Sequence, residues 1–154
     1  MKIRNKHDLP GLPERILLIQ LGDIGDVVWS WPSIYAVKAK FPAAKITLLT
    51  RRGRGGLLDG NPFLDEITEV VQSQGNVLES LSAQVRFFSE LREKRFDWAI
   101  DLRGDDRGAF LARISGARVR YGIFYQSSPF WRNMMYTHIA ESWIPRNLPP
   151  RGPA

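Results

Sequence analysis

The sequence predicts an α/β domain with a mainly parallel sheet and helices on both faces, and three observations carry that expectation. Short apolar runs bounded by breakers recur along the chain, stretches of helical spacing fall between them, and the two kinds alternate throughout. Such alternation implies right-handed crossovers and a doubly wound layout. With 154 residues, 44% of them apolar and 25% charged, the chain fits one ordered domain able to bury its own core.

Residues 1–14 are polar and broken by Pro10, Gly11 and Pro13, which predicts a flexible leader ending in a turn. Arg15–Gln20 reads as a buried first strand and Leu21–Asp26 as a compact turn. From Asp26 to Lys40, the residues Val27, Trp31, Ile34, Tyr35 and Ala39 recur at helical spacing. Phe41–Ala44 leads to a second strand, Lys45–Thr50, and Arg51–Asp59 is a glycine-rich loop passing into a short helix. Asn61 and Pro62 mark a turn before a third strand, Glu66–Val71.

Gln72–Asn76 has the composition of a flexible link. Val77–Lys94 follows as an amphipathic helix with Leu78, Leu81, Val85, Phe88 and Leu91 on one side. Phe96–Leu102 supplies a fourth strand, Asp106–Ser115 another helix and Arg118–Gly122 a short fifth strand. Phe124–Trp143 is aromatic and amphipathic, and no further strand is expected. Pro145–Ala154 holds four prolines and cannot be a core element. It reads as a Pro-rich tail or truncated interdomain linker, leaving residues 15–144 as the folded domain.

The chain has no cysteine, which excludes structural disulfides and cysteine-ligated metals. Its two imidazoles, His7 and His138, stand far apart in sequence, so neither a metal site nor a resident cofactor is expected. Ile16–Ile19, the longest early apolar run, is only a strand's worth, and no secretory or membrane-spanning segment is read. A cytoplasmic location is therefore expected. Twenty-two Lys and Arg against sixteen Asp and Glu leave +6, a balance that suits an anionic ligand, a phospholipid surface or nucleic acid without choosing among them.

In an open parallel sheet, ligands gather beyond the carboxyl ends of the strands, and the turn after the first strand is a preferred place. Gly22 and Gly25 allow close chain approach there, and Asp23 and Asp26 put carboxylates beside a helix start. The glycine spacing does not match a dinucleotide fingerprint, and no Gly-Lys-Ser or Gly-Lys-Thr triplet forms a phosphate loop. A carboxylate in this place suits a proton acceptor, a hydroxyl orienter or a helix cap, and the residues alone leave those three open.

The run Ile16–Val28, with Trp31 and Pro32 behind it and Lys45–Thr50 next, resembles the start of the bacterial heptosyltransferases of glycosyltransferase family 9. Asn61–Glu66, Phe96–Gly104 and Leu111–Arg118 continue the likeness, which runs from about Arg15 to Glu141. The resemblance implies the Rossmann-like N-terminal half of a two-lobed GT-B glycosyltransferase, with the catalytic cleft between similar α/β halves. It implies inverting transfer of heptose from ADP-heptose to the lipopolysaccharide core at the inner face of the cytoplasmic membrane, where basic loops could give reversible attachment. This half would be the acceptor side and would be inactive without a missing C-terminal donor-binding domain.

The same resemblance assigns the general base to the Gly25-Asp26 pair, with Asp23 as the competing carboxylate, since relatives often carry a neutral residue there. Arg51 and Arg52 follow the second strand, and their guanidinium forks suit acceptor phosphate or carboxylate groups. Asp101, Arg103 and Arg107 follow the fourth strand as further acceptor contacts; relatives often have glutamine where Arg103 stands. His138 lies where relatives pass from one lobe to the next, which suggests an interdomain or cleft position. Trp29 and Trp31 are expected mainly as packing groups. Nucleic acid is disfavoured, because the Arg51–Gly56 run sits inside the alternating pattern and no RNA-binding module accompanies it. The competing reading is a non-catalytic α/β module that binds an anionic glycolipid or protein.

Overall fold

The computed structural model describes residues 3–5, 11–70, 77–124 and 129–141. The elements run β1 (Ile3–Asn5), β2 (Arg15–Gln20), α1 (Ile24–Trp29), α2 (Trp31–Lys40), β3 (Lys45–Arg51), a 3₁₀ turn (Gly55–Leu58), β4 (Glu66–Val70), α3 (Val77–Glu93), β5 (Trp98–Asp101), α4 (Asp106–Ile114), β6 (Val119–Phe124), α5 (Phe130–Met135) and β7 (His138–Glu141). The expected link at Gln72–Asn76, most of the leader and the Pro145–Ala154 tail lie outside the described residues.

The strands form one sheet in the order β1-β7-β6-β5-β2-β3-β4. All pairings are parallel except β1 with β7. Central β2 is covered on both faces, which is why its sequence is a near-continuous apolar run. Successive side chains of a strand point to opposite faces. Ile16 and Leu18 accordingly pack with Val27 and Ile34 of α1 and α2, while Leu17 and Ile19 pack with Phe87, Leu91 and Leu111 of α3 and α4. Each fully buried aliphatic side chain of this kind stabilises the fold by roughly 1.5–3 kcal/mol. The result is a mainly parallel, Rossmann-like sheet with helices on both faces, as the alternating pattern predicts.

Four details depart from the sequence expectation. The single helix read over Asp26–Lys40 is two helices separated at Ser30, because Pro32 takes a first-turn position of α2, where its missing N–H costs nothing. The break changes the exposed face: Val27 and Ile34 are buried, but Trp29 is 85% exposed instead of packed, and Trp31 and Tyr35 lie edge-on to Phe63 near the surface. Helix α3 has its expected length, yet Leu81 and Val85 are exposed and the core is met by Phe87 and Leu91. Two short strands, β1 in the supposed leader and β7 within the aromatic segment, extend the sheet through β6. Among the described residues no helix is long and apolar enough to cross a membrane.

Candidate active site

Strand β2 is flanked by β3 on one side and β5 on the other, so the chain order reverses between β2 and β5. At such a point an open parallel sheet is expected to have its ligand crevice, outside the carboxyl ends of the strands, and the loops leaving these strands lie there. Three of them carry the predicted carboxylates and arginines.

The loop after β2 is held from beneath by Gln20, a buried polar side chain at the strand end. Its Oε1 accepts from Gly22 N at 3.1 Å, and its Nε2 donates to Asp26 O at 3.3 Å. Asp23 is the N-cap of α1, and its N–H donates to Asp26 Oδ2 at 3.2 Å, which closes the first turn. Gly22 makes the seat for that carboxylate: a Cβ on Gly22 would lie 2.1 Å from Asp26 Oδ2 and 2.4 Å from Asp26 Cβ. Gly25, by contrast, faces open space.

Asp26 takes one of the roles its sequence position left open, that of a helix cap. It caps the first turn of α1, and its side chain remains 52% exposed at the strand crevice. Arg103, from the loop after β5, donates through Nη1 to Asp26 Oδ2 at 2.8 Å and holds Asp105 at 3.2 Å through Nε. Asp23 faces the other way, toward Arg51 at 3.3 Å and Arg54 at 3.9 Å. Three strand ends therefore meet through ion pairs, Arg51 with Asp23 and Arg103 with Asp26.

The loop carrying Arg51, Arg52 and Arg54 is pinned by Glu69 of β4, whose carboxylate accepts from Gly53 N at 3.0 Å and Gly55 N at 2.9 Å. Those two backbone donors hold the Glu69 carboxyl below its ordinary range. A lowered folded-state pKa gives stability that is present above the unfolded value and lost as pH falls through the folded one. The Gly53 and Gly55 amides are therefore expected to lose hydrogen-exchange protection on acidification below about pH 4.3, the ordinary glutamate value. Glu69→Gln should lower their protection at neutral pH and flatten this dependence. Unchanged protection down to pH 3 would show that the loop does not depend on this carboxylate.

Arg52 is exposed on that loop and Arg107 is exposed in the first turn of α4. Arg51 and Arg107 flank a groove of about 600 Å³ whose apolar lining includes Leu21, Phe88, Phe110 and Trp131. Beside the crevice, Ile24, Val28 and Trp29 present an exposed apolar face of α1.

Two predicted site residues lie inside the frame instead of at the crevice. Asp101 is buried at the end of β5, where its Oδ1 accepts from Arg103 N and Gly104 N, each at 3.0 Å, and its Oδ2 accepts from the Tyr136 hydroxyl at 2.6 Å. Burial pushes its carboxyl up, against the effect of these three donors. Burial also pushes the Tyr136 hydroxyl up, and the neighbouring Asp101 charge adds to the shift. Asp101 consequently fixes the loop that carries Arg103. His138 is 1% exposed in β7, with Tyr121 at 4.9 Å between ring centres and Thr137 Oγ1 at 2.8 Å from Nδ1.

Gly22 has the close-approach role expected of it, whereas Gln20, Arg54 and Asp105 join the site without having been named from the sequence. The signal that marks Gln20 is a polar residue closing an apolar strand.

The likeness expected from the motifs extends to known proteins. No family model matches the chain. Lipopolysaccharide heptosyltransferase 3 of Escherichia coli is 26% identical over 117 residues, 75% of this chain and 34% of that protein. The chain thus spans about a third of the curated relative. The crystal structure of a glycosyl transferase family 9 protein from Veillonella parvula superposes with a TM-score of 0.68 at 25% identity, covering 86% of this chain and 36% of that one. This chain is similar to family 9 glycosyltransferases. The Escherichia coli heptosyltransferase WaaC with ADP shares the fold, with a TM-score of 0.68 at 18% identity over 86% of this chain and 42% of that one.

Proposed function

We propose that this chain is the N-terminal, acceptor-side part of an inverting glycosyltransferase that moves heptose from ADP-heptose to the lipopolysaccharide core. The observation that carries the reading is Asp26, a half-exposed carboxylate seated over Gly22 at the reversal point of the sheet, in a chain similar to heptosyltransferases. Support for the donor comes from the ADP held by WaaC, a protein of the same fold.

In this reading Asp26 accepts the proton of an acceptor hydroxyl as its O–H bond breaks. The hydroxyl oxygen forms a bond to the anomeric carbon, and the carbon–oxygen bond to the diphosphate breaks on the opposite face. The electron pair leaves with ADP. One carboxylate suffices because the diphosphate is already a good leaving group, unlike the leaving alkoxide that makes hydrolases use a paired acid. Arg51, Arg52 and Arg107 supply cationic contacts for an anionic acceptor, and Asp101 positions the Arg103 loop. Asp23 and Gly25 complete the acceptor side of the turn.

The donor sugar falls to a second lobe, without which residues 1–154 do not turn over. The enzyme works at the cytoplasmic face of the inner membrane, held reversibly by its basic loops. The deciding assay incubates ADP-heptose and defined lipopolysaccharide-core acceptors with the full protein that the gene encodes and, separately, with residues 1–154. Gain of one heptose mass by the acceptor with the full protein alone is the expected result. Transfer by residues 1–154 alone would overturn the second-lobe requirement. Binding of the acceptor without transfer by either form would replace the enzyme with the non-catalytic module.

A further inference from the structure

One oxygen of the carboxylate proposed as base is already engaged. Asp26 Oδ2 already receives the Arg103 guanidinium at 2.8 Å and the Asp23 N–H at 3.2 Å. Two donors already occupy this oxygen, so a hydroxyl that approaches it has to displace one of them.

The two ends of the ion pair are mounted differently from its middle. Asp26 is fixed by the first turn of α1 and by the Gly22 seat. Arg103 is fixed at its backbone, where its N–H donates to buried Asp101, while its side chain is held by exposed ion pairs with Asp26 and Asp105. Its side chain is 44% exposed, against 52% for Asp26. Exposed ion pairs of this type shift an equilibrium by about fivefold at most. A ligand oxyanion that meets the guanidinium through two parallel hydrogen bonds can therefore compete with Asp26 for it.

We infer that Arg103 is a positioning residue that latches Asp26 until an anionic group on the acceptor takes the guanidinium. The inference rests on the reading of Asp26 as the base and deepens it. The acceptor class it selects carries a carboxylate or phosphate close to the attacking hydroxyl. A neutral sugar would leave the latch shut. When the anion binds, Arg103 turns from Asp26 to the ligand, and the freed Oδ2 faces the hydroxyl that the same contact has oriented. The Arg103–Asp105 contact at 3.2 Å keeps the guanidinium on its own loop during the exchange.

Competition makes this testable by binding alone. Isotope-labelled protein is titrated with methyl glucuronide, with inorganic phosphate and with uncharged methyl glucoside, while the Arg103 Nε–H resonance is followed. The charged probes are expected to move that resonance and the glucoside to leave it in place. The tighter of the two anions identifies carboxylate or phosphate as the natural group. Asp26→Asn removes the internal competitor, so anion affinity should rise roughly two- to fivefold, within the range of an exposed pair. Glu90→Gln, the same charge change on α3, should leave affinity unchanged, and Arg103→Gln should abolish the response.

An Arg103 signal indifferent to both anions would overturn the latch, as would equal anion affinity in Asp26→Asn and the parent protein. Should Arg103→Gln fail to fold, the Asp26→Asn comparison decides by itself. Retained transfer by the Asp26→Asn enzyme would instead remove the proposed base, a separate result from loss of the binding coupling.

Discussion

Asp26→Asn is expected to lower the transfer rate of the full enzyme by roughly 10²–10⁴-fold, the range for loss of a positioned general base. The substitution keeps the shape of the side chain. Asparagine Oδ1 can still accept from Asp23 N–H, and the planar head still fits over Gly22, where a Cβ would collide with it. The exposed pair with Arg103 is lost, which costs about 0.2–1 kcal/mol. Turnover should therefore fall while the unfolding temperature drops by only a few degrees.

Asp23 is the comparison that gives this result meaning. It is the other carboxylate of the turn and the N-cap residue of α1, but its side chain faces Arg51 and Arg54. Asp23→Asn retains a good N-cap residue and should cost less than tenfold in turnover, on the order of one exposed contact. Steady-state transfer rates of the two variants, measured beside their thermal unfolding, separate the roles. A larger loss from Asp23→Asn than from Asp26→Asn would move the base to Asp23.

The parallel sheet was legible because its central strands are buried on both faces and read as plain apolar runs, as in Arg15–Gln20 and Lys45–Thr50. β7 was not, because His138–Glu141 has no such run. Its strand form comes from pairing with β6 and β1, a tertiary effect that no local pattern encodes. The helix break at Ser30 was hidden because Pro32 fits either the first turn of a new helix or a kink in an old one. Trp29 changed from packing group to exposed residue with that break.

The site divides along the same line. Asp26 and the arginine loop follow strands directly, so local order placed them at the crevice. Asp101 closes β5 itself, and it turns inward, where Tyr136, 35 residues away, offers it a hydroxyl. The pairing of Arg103 with Asp26 spans 77 positions and joins loops from two strands that meet only in the folded sheet.

Gly108→Ala is expected to destabilise the domain by about 3 kcal/mol and to lower the unfolding temperature by roughly 10 °C. Helix propensity alone predicts the opposite sign, since Gly108 lies inside α4 and alanine is favoured over glycine in helices by about 1 kcal/mol. The difference comes from Asp101. A Cβ on Gly108 would stand 2.2 Å from Asp101 Oδ2 and 2.5 Å from Cγ, so the buried carboxylate or the helix has to move. Moving the carboxylate strains its contacts with Tyr136, Arg103 N and Gly104 N, and a buried polar group left short of partners costs about 1–3 kcal/mol. Gly56→Ala is the matched control, because its Cβ would meet only Asp59 Oδ2 at 3.8 Å, an ordinary contact. In an Asp101→Ala background the clash is gone, so Gly108→Ala should there cost less, or stabilise, and denaturant unfolding of the four proteins closes the cycle. Equal costs in both backgrounds would detach Gly108 from Asp101, and with it the account of how the loop carrying Arg103 is held beside Asp26.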